Sequence, residues 1–246
     1  GGPGILAVLA KHGVRATFFV SFGPDNTGKA VMRVFRRKGF LKKMIRTNPV
    51  SMYGLKTMLR GTLLPAPNIG AAMPDVVRRM DAEGHEVQVH AWDHQRWQDG
   101  LGRIGKSGRR EELEKAFSAY ESILGHAPRA TAAPGWQADA ASLAVLDEFR
   151  LDYASDTRGV RPFLPVAEGR GFQVPQIPTT LGTLDEDLGR SVDAQGYADW
   201  LAAQVPRNTT SVLTVHTETE GMGYASLFDK LLGLLAGQGV QLVRMC

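Results

Sequence analysis

His90-Ala-Trp-Asp-His94 sets two imidazoles four residues apart. That separation brings both to one side of a single helical turn or tight loop, where one divalent cation can bridge them. Two histidines that merely pack can share the spacing, so spacing alone leaves a metal pair and a structural pair both open. A third histidine, His216, closes the β-rich run Ser211-Val-Leu-Thr-Val-His216, and Asp156 follows the extended run Leu151-Asp-Tyr-Ala-Ser155. A cation polarises a carbonyl and lowers the pKa of bound water to about 7. A histidine, with an ordinary pKa of about 6.5, suits proton transfer near working pH. Each residue also has a plain role: His216 as a satisfied strand-end histidine, Asp156 as a turn cap beside Ser155. Trp92, Trp97 and Trp136 offer faces to a sugar ring or to the core. His12, His85 and His126 sit in turns or at helix ends and read as structural.

Groups so far apart in the chain meet only if their elements bring them to one face. Strand-like runs at 15–21, 86–90, 131–133, 151–155, 176–179, 211–216 and 240–245 alternate with helical patterns at 5–12, after Pro74, 111–124, 138–149, 196–204 and 226–236. This β-α order predicts a mostly parallel sheet with helical crossovers. It predicts an α/β fold of about seven strands, one short of a complete eight-stranded barrel. Chemistry then belongs at the C-terminal strand ends, where His90, Asp156 and His216 all fall. No Ser-, Pro- or Gly-rich linker divides the chain, so a single domain over 1–246 is expected, with an inserted helical subregion at about 23–73.

Composition removes several alternatives. Cys246 is the only cysteine, which excludes intrachain disulfides and cysteine-based zinc sites. No apolar run reaches the roughly 18 residues that a transmembrane helix needs. A Gly-x-Ser-x-Gly elbow is absent, as is a Gly-rich phosphate loop between a strand and a helix. The net charge is +4, and much of the basic excess lies in Arg33–Arg46, interleaved with Phe35, Phe40, Leu41, Met44 and Ile45. Such a stretch is either a solvated helix face or a surface for an anionic membrane. No nucleic-acid-binding motif accompanies it.

Taken in order, the motifs resemble the polysaccharide deacetylase (NodB-like) family. Gly84-His-Glu-Val-Gln-Val-His90-Ala-Trp-Asp-His94 is similar to its zinc motif, Ala133-Pro-Gly-Trp136 to its groove-wall motif, and Ser155-Asp156 and Leu213-Thr-Val-His216 to its last two. Further stretches resemble, more narrowly, the branch that removes a formyl group from an amino-arabinose carried on undecaprenyl phosphate. They are 23–28, 51–54, Trp97-Gln98, 132–139, 155–159, 176–178, Asp185-Glu186 and 216–221.

The resemblance implies a distorted (β/α) barrel and a divalent metal (zinc, with manganese or cobalt as alternatives) on His90 and His94. It implies His216 as general acid, Asp156 orienting it, and Trp136, Trp92 and Arg158 against the substrate. It also implies a lipid-linked substrate met at the cytoplasmic face of the bacterial inner membrane in lipid A modification and polymyxin resistance, with 33–46 on the anionic surface. Two departures stand out. The family's Asp-rich first strand, which carries its catalytic base, is expected upstream of Gly1, so residues 1–246 alone are expected to be inactive. Ala132 stands where the third motif usually has arginine, and Arg158 is the candidate replacement for that charge.

Overall fold

The computed structural model describes residues 1–26, 28 and 59–246. The stretches 33–46 and 51–54, and most of the subregion expected at 23–73, lie outside the described residues. Helix α1 (Gly2–Lys11) opens the chain with Pro3 in its first turn, where the missing N–H costs no helical bond. Strand β1 (Thr17–Val20) follows, then the short helix α2 (Ile69–Ala72) and α3 (Pro74–Ala82). Strand β2 (Glu86–Val89) leads through a tight turn into α4 (His94–Gly100), and α5 (Lys106–Leu124) ends at Gly125 with φ of 79°. A side chain at 125 would be strained in that left-handed conformation, which is why glycine stops the helix there.

Strand β3 (Ala130–Thr131) precedes α6 (Ala140–Phe149), whose start is fixed by a reciprocal capping box between Asp139 and Ser142. Then come β4 (Tyr153–Ala154), the hairpin β5 (Val166–Ala167) and β6 (Arg170–Gly171), and α7 (Leu184–Asp187), α8 (Tyr197–Gln204) and α9 (Ala225–Gly237). The sheet runs β1-β2-β3-β4 with every pair parallel, Thr17 opposite Glu86, Val89 opposite Thr131 and Ala130 opposite Tyr153. All four residues of β2 are buried, as a central parallel strand covered on both faces must be. The main core packs Leu6, Val89, Ala116, Tyr120, Leu201 and Leu231, and a second cluster around Trp97, Val145 and Phe172 lies below α4 and α6.

Four of the seven expected strands form this ladder. The run at 176–179 makes single bridges, Ala154 to Gln176 and Arg158 to Thr179, because Pro175 and Pro178 cannot donate to a ladder. Among the described residues, 211–216 and 240–245 form no strand and pair through isolated bonds. Thr180 N–H donates to the Val212 carbonyl at 3.1 Å, and Met245 N–H donates to Thr17 Oγ1 at 2.9 Å. A strand is defined by a repeating backbone partner, and neither segment has one here.

Candidate active site

Strand β2 ends at Val89, and the chain turns sharply at Ala91, whose φ of 60° is unusual for a residue with a Cβ. Ala91 is buried, so packing holds this turn open at a cost of roughly 1 kcal/mol or more. Asp93 then caps α4, its carboxylate accepting the N–H groups of Gln95 and Arg96 at 3.0 Å each. The cap is held from two sides. Asn26 Nδ2 donates to Asp93 Oδ2 at 2.9 Å, and the Asp93 N–H donates to fully buried Glu112 of α5 at 3.0 Å.

The result brings the two imidazoles together, their ring centroids 5.1 Å apart. His90 Nδ1 lies 2.7 Å from the Ala132 carbonyl oxygen. A carbonyl only accepts, so Nδ1 must carry the proton and Nε2 must keep its lone pair. That is the tautomer a metal ligand needs, fixed by a backbone partner as such ligands are. Loss of solvation in the cleft, then the neighbouring His94, pushes the His90 pKa down to about 3. Loss of solvation and the His216 charge push His94 down to about 4. Both rings are only partly exposed, and both are neutral at physiological pH. The donor chemistry fits a divalent cation, which requires deprotonated imidazole. Among the described residues no group of three His, Cys, Asp or Glu side chains gathers to complete the shell.

His216 reaches the same cleft, since its charge acts on both rings. Its N–H donates to buried Glu220 at 3.0 Å and its carbonyl accepts from Thr219 and Glu220, which closes a compact turn. The carboxylate in ion-pair reach of its ring is Asp185, with Oδ1 3.7 Å from Nδ1. The family resemblance implies Asp156 in that position. Instead, Asp156 lies buried between the Ala133 N–H and Gln176, whose Nε2 donates to it at 3.4 Å. Burial pushes its pKa up to about 7. In the sequence Asp185 stands out only as part of the stretch Asp185-Glu186. Nothing in its spacing says that the Thr183–Glu186 capping box would aim it at His216.

Trp136 lies in the turn after β3, its indole N–H donating to Thr179 Oγ1 at 3.0 Å. The Arg158 guanidinium stacks over that indole at 4.3 Å and is further held by the Leu181 carbonyl and by Glu186. Arg158 is therefore committed to Trp136 and α7, rather than standing in for an arginine at Ala132. Trp92 packs against the main core, and its ring and carbonyl crowd the backbone of Gly23. Its surroundings are those of a packing residue, in contrast to Trp136.

The polysaccharide deacetylase family model matches residues 2–154. The chain belongs to that family. Proteins named as 4-deoxy-4-formamido-L-arabinose-phosphoundecaprenol deformylases are similar over the whole chain. The one from Shewanella sediminis is 34% identical across 246 residues and 79% of its own length. The one from Wigglesworthia glossinidia brevipalpis is 31% identical across 86% of its length. Among solved structures, a polysaccharide deacetylase from Mycobacterium smegmatis aligns with 99% of this chain and 73% of its own. Its TM-score is 0.64 at 18% identity, which speaks to the fold alone. As a member of this family the chain is a hydrolase that acts on amide carbon–nitrogen bonds.

Proposed function

We propose that the chain removes the formyl group from 4-deoxy-4-formamido-L-arabinose carried on undecaprenyl phosphate, releasing formate and the free amine. The observation that carries this reading is similarity to two deformylases across all 246 residues, rather than across the family motifs alone. The setting would be lipid A modification, and through it polymyxin resistance, at the cytoplasmic face of the inner membrane. Attachment there would be peripheral; no described helix is long and apolar enough to cross a membrane.

His90 and His94 would hold a divalent cation, zinc or alternatively manganese or cobalt. Once bound, such a cation polarises an amide carbonyl and makes its water acidic. The remaining work falls to the chain. His216 would hold the proton for the leaving amine on Nε2, with Nδ1 turned to Asp185. Trp136 would carry the sugar against the groove wall. Asp156 would act from behind the wall, through Gln176. A catalytic cation commonly keeps three protein ligands.

The test is release of formate against acetate from paired formamido and acetamido lipid-linked substrates, with each metal in turn. One methyl in an acyl pocket is worth only about 1–3 kcal/mol. Equal release would therefore favour a broader N-deacetylase, a reading supported by 27% identity over 176 residues to a chitin deacetylase of Colletotrichum lindemuthianum. No release of either acid, with metal bound, would favour a binding module without catalysis.

A further inference from the structure

Nine large hydrophobic side chains are exposed among the described residues, and four of them fall within seven positions: Val160, Phe163, Leu164 and Val166. Val160 is 83% exposed, Val166 73% and Leu164 62%. Isolated exposed apolar residues are ordinary, whereas a contiguous strip marks an interaction surface. The strip is stiff. Pro162 and Pro165 fix their own φ angles, and Phe163 exchanges both backbone bonds with Gln176, at 3.0 and 2.8 Å. Ordering it on a partner therefore costs little entropy.

Charge selects the partner. Between Thr157 and Leu184 the basic residues are Arg158, Arg161 and Arg170, and the only acidic one is Glu168, at the tip of the β5–β6 hairpin. Arg161 is exposed, and Arg170 is held over Phe172 at 5.0 Å beside the strip. Apolar side chains flanked by arginines suit a bilayer, with the former among acyl chains and the latter at phosphate level.

Position ties the strip to the cleft. Two residues before Val160, Arg158 stacks on Trp136, and Gln176 joins Phe163 on one side to buried Asp156 on the other. We propose that residues 160–166, flanked by Arg161 and Arg170, form a rigid docking loop that seats the mouth of the groove on an anionic lipid surface. This rests on the lipid-linked substrate reading only for its purpose; the binding itself is independent of turnover.

The experiment is sedimentation of the native protein with phosphatidylglycerol/phosphatidylethanolamine vesicles and with phosphatidylcholine vesicles. Wild type should partition to the anionic vesicles, and Leu164→Glu/Val166→Glu should partition about tenfold or more less at an unchanged melting temperature. Arg161→Glu should weaken binding severalfold. Val243→Glu should leave it unchanged, since Val243 is 74% exposed but lies by Arg244, which reaches the Gly84 carbonyl at the opposite end of the sheet. An environment-sensitive label at Leu164→Cys, in a Cys246→Ser background, should be quenched by brominated acyl chains.

The proposal is overturned if wild type ignores anionic vesicles, if the loop variants bind as wild type does, or if Val243→Glu weakens binding equally. It is also overturned if the strip instead joins two copies of the chain, seen as a dimer that Leu164→Glu dissolves. Formate release by the full-length protein from a short-chain soluble substrate, with no vesicles present, should be equal in wild type and the loop variants. Its absence in both would sink the deformylase reading and leave the vesicle result standing.

Discussion

His90 and His94 hang from a turn braced by Asp93 at the start of α4, by the buried Ala132 carbonyl just after β3 and by the fully buried Glu112 of α5. His216 hangs from a segment outside the ladder, held by isolated bonds, and faces a carboxylate on a helix of four residues. The contrast follows the chemistry expected of each wall. A metal ligand must present one lone pair in one direction, so its tautomer and turn are over-determined. A proton donor must follow a leaving group, and a looser mount suits it.

The largest expected effects test whether the walls have separate duties. His90→Ala or His94→Ala should abolish both metal content, read by elemental analysis, and turnover, by at least about 10³-fold. His216→Ala should cost about 10²–10⁴-fold in kcat with metal content unchanged. Loss of the metal in the His216 variant would erase the distinction.

Asp156→Asn comes next, because burial raises the folded pKa from 3.8 to about 7. Unfolded chain releases this proton near pH 4, whereas folded chain keeps it to about pH 7. The group's contribution to stability is therefore complete below about pH 4 and declines as pH rises through 7. At pH 8 Asp156→Asn should be more stable than wild type by roughly 2–4 kcal/mol, an advantage that vanishes near pH 4. Thermal melts across pH 4–8 check it; parallel curves would mean that the carboxylate is better solvated than its burial implies.

Smaller effects probe the mounts. Asp185→Asn should lower kcat about tenfold with KM within twofold, and should remove the Nδ1–H tautomer of His216 in ¹⁵N NMR. An unchanged kcat and tautomer would return the orienting role to Asp156. On the other wall, Tyr120 Oη donates to the Val87 carbonyl at 2.9 Å beneath β2. Tyr120→Phe should cost about 1 kcal/mol in denaturant melts and leave kcat alone.

The β-α alternation was readable because parallel strands are apolar throughout and helices end at glycine, as at Gly84 and Gly125. The HxxxH pair was readable because its geometry is local, one turn spanned by five residues. Legibility ended where position depends on distant partners. Thr183, which caps α7, sits among ordinary loop residues, so Asp185 carried no local mark of facing His216. Asp156 drew attention by its motif, yet its burial comes from Gln176, twenty positions on. Arg158 looked free to replace a missing charge because nothing in the sequence reports that it lies over Trp136. The strands at 211–216 and 240–245 have the composition of strands, but a ladder also needs a neighbour, which composition does not supply.

Gly4 of α1 lies so close to Gly221 that a Cβ at 4 would run into the Gly221 carbonyl, while a Cβ at 221 would meet the carbonyl of Thr217. Bare backbone thus abuts bare backbone where the first helix meets the turn that carries His216. Such a joint has no side chain to repack as compensation, so the two positions should tolerate neither single nor paired replacement. A shift in the seating of α1 would pass directly to the His216 imidazole, more than two hundred residues away in the sequence.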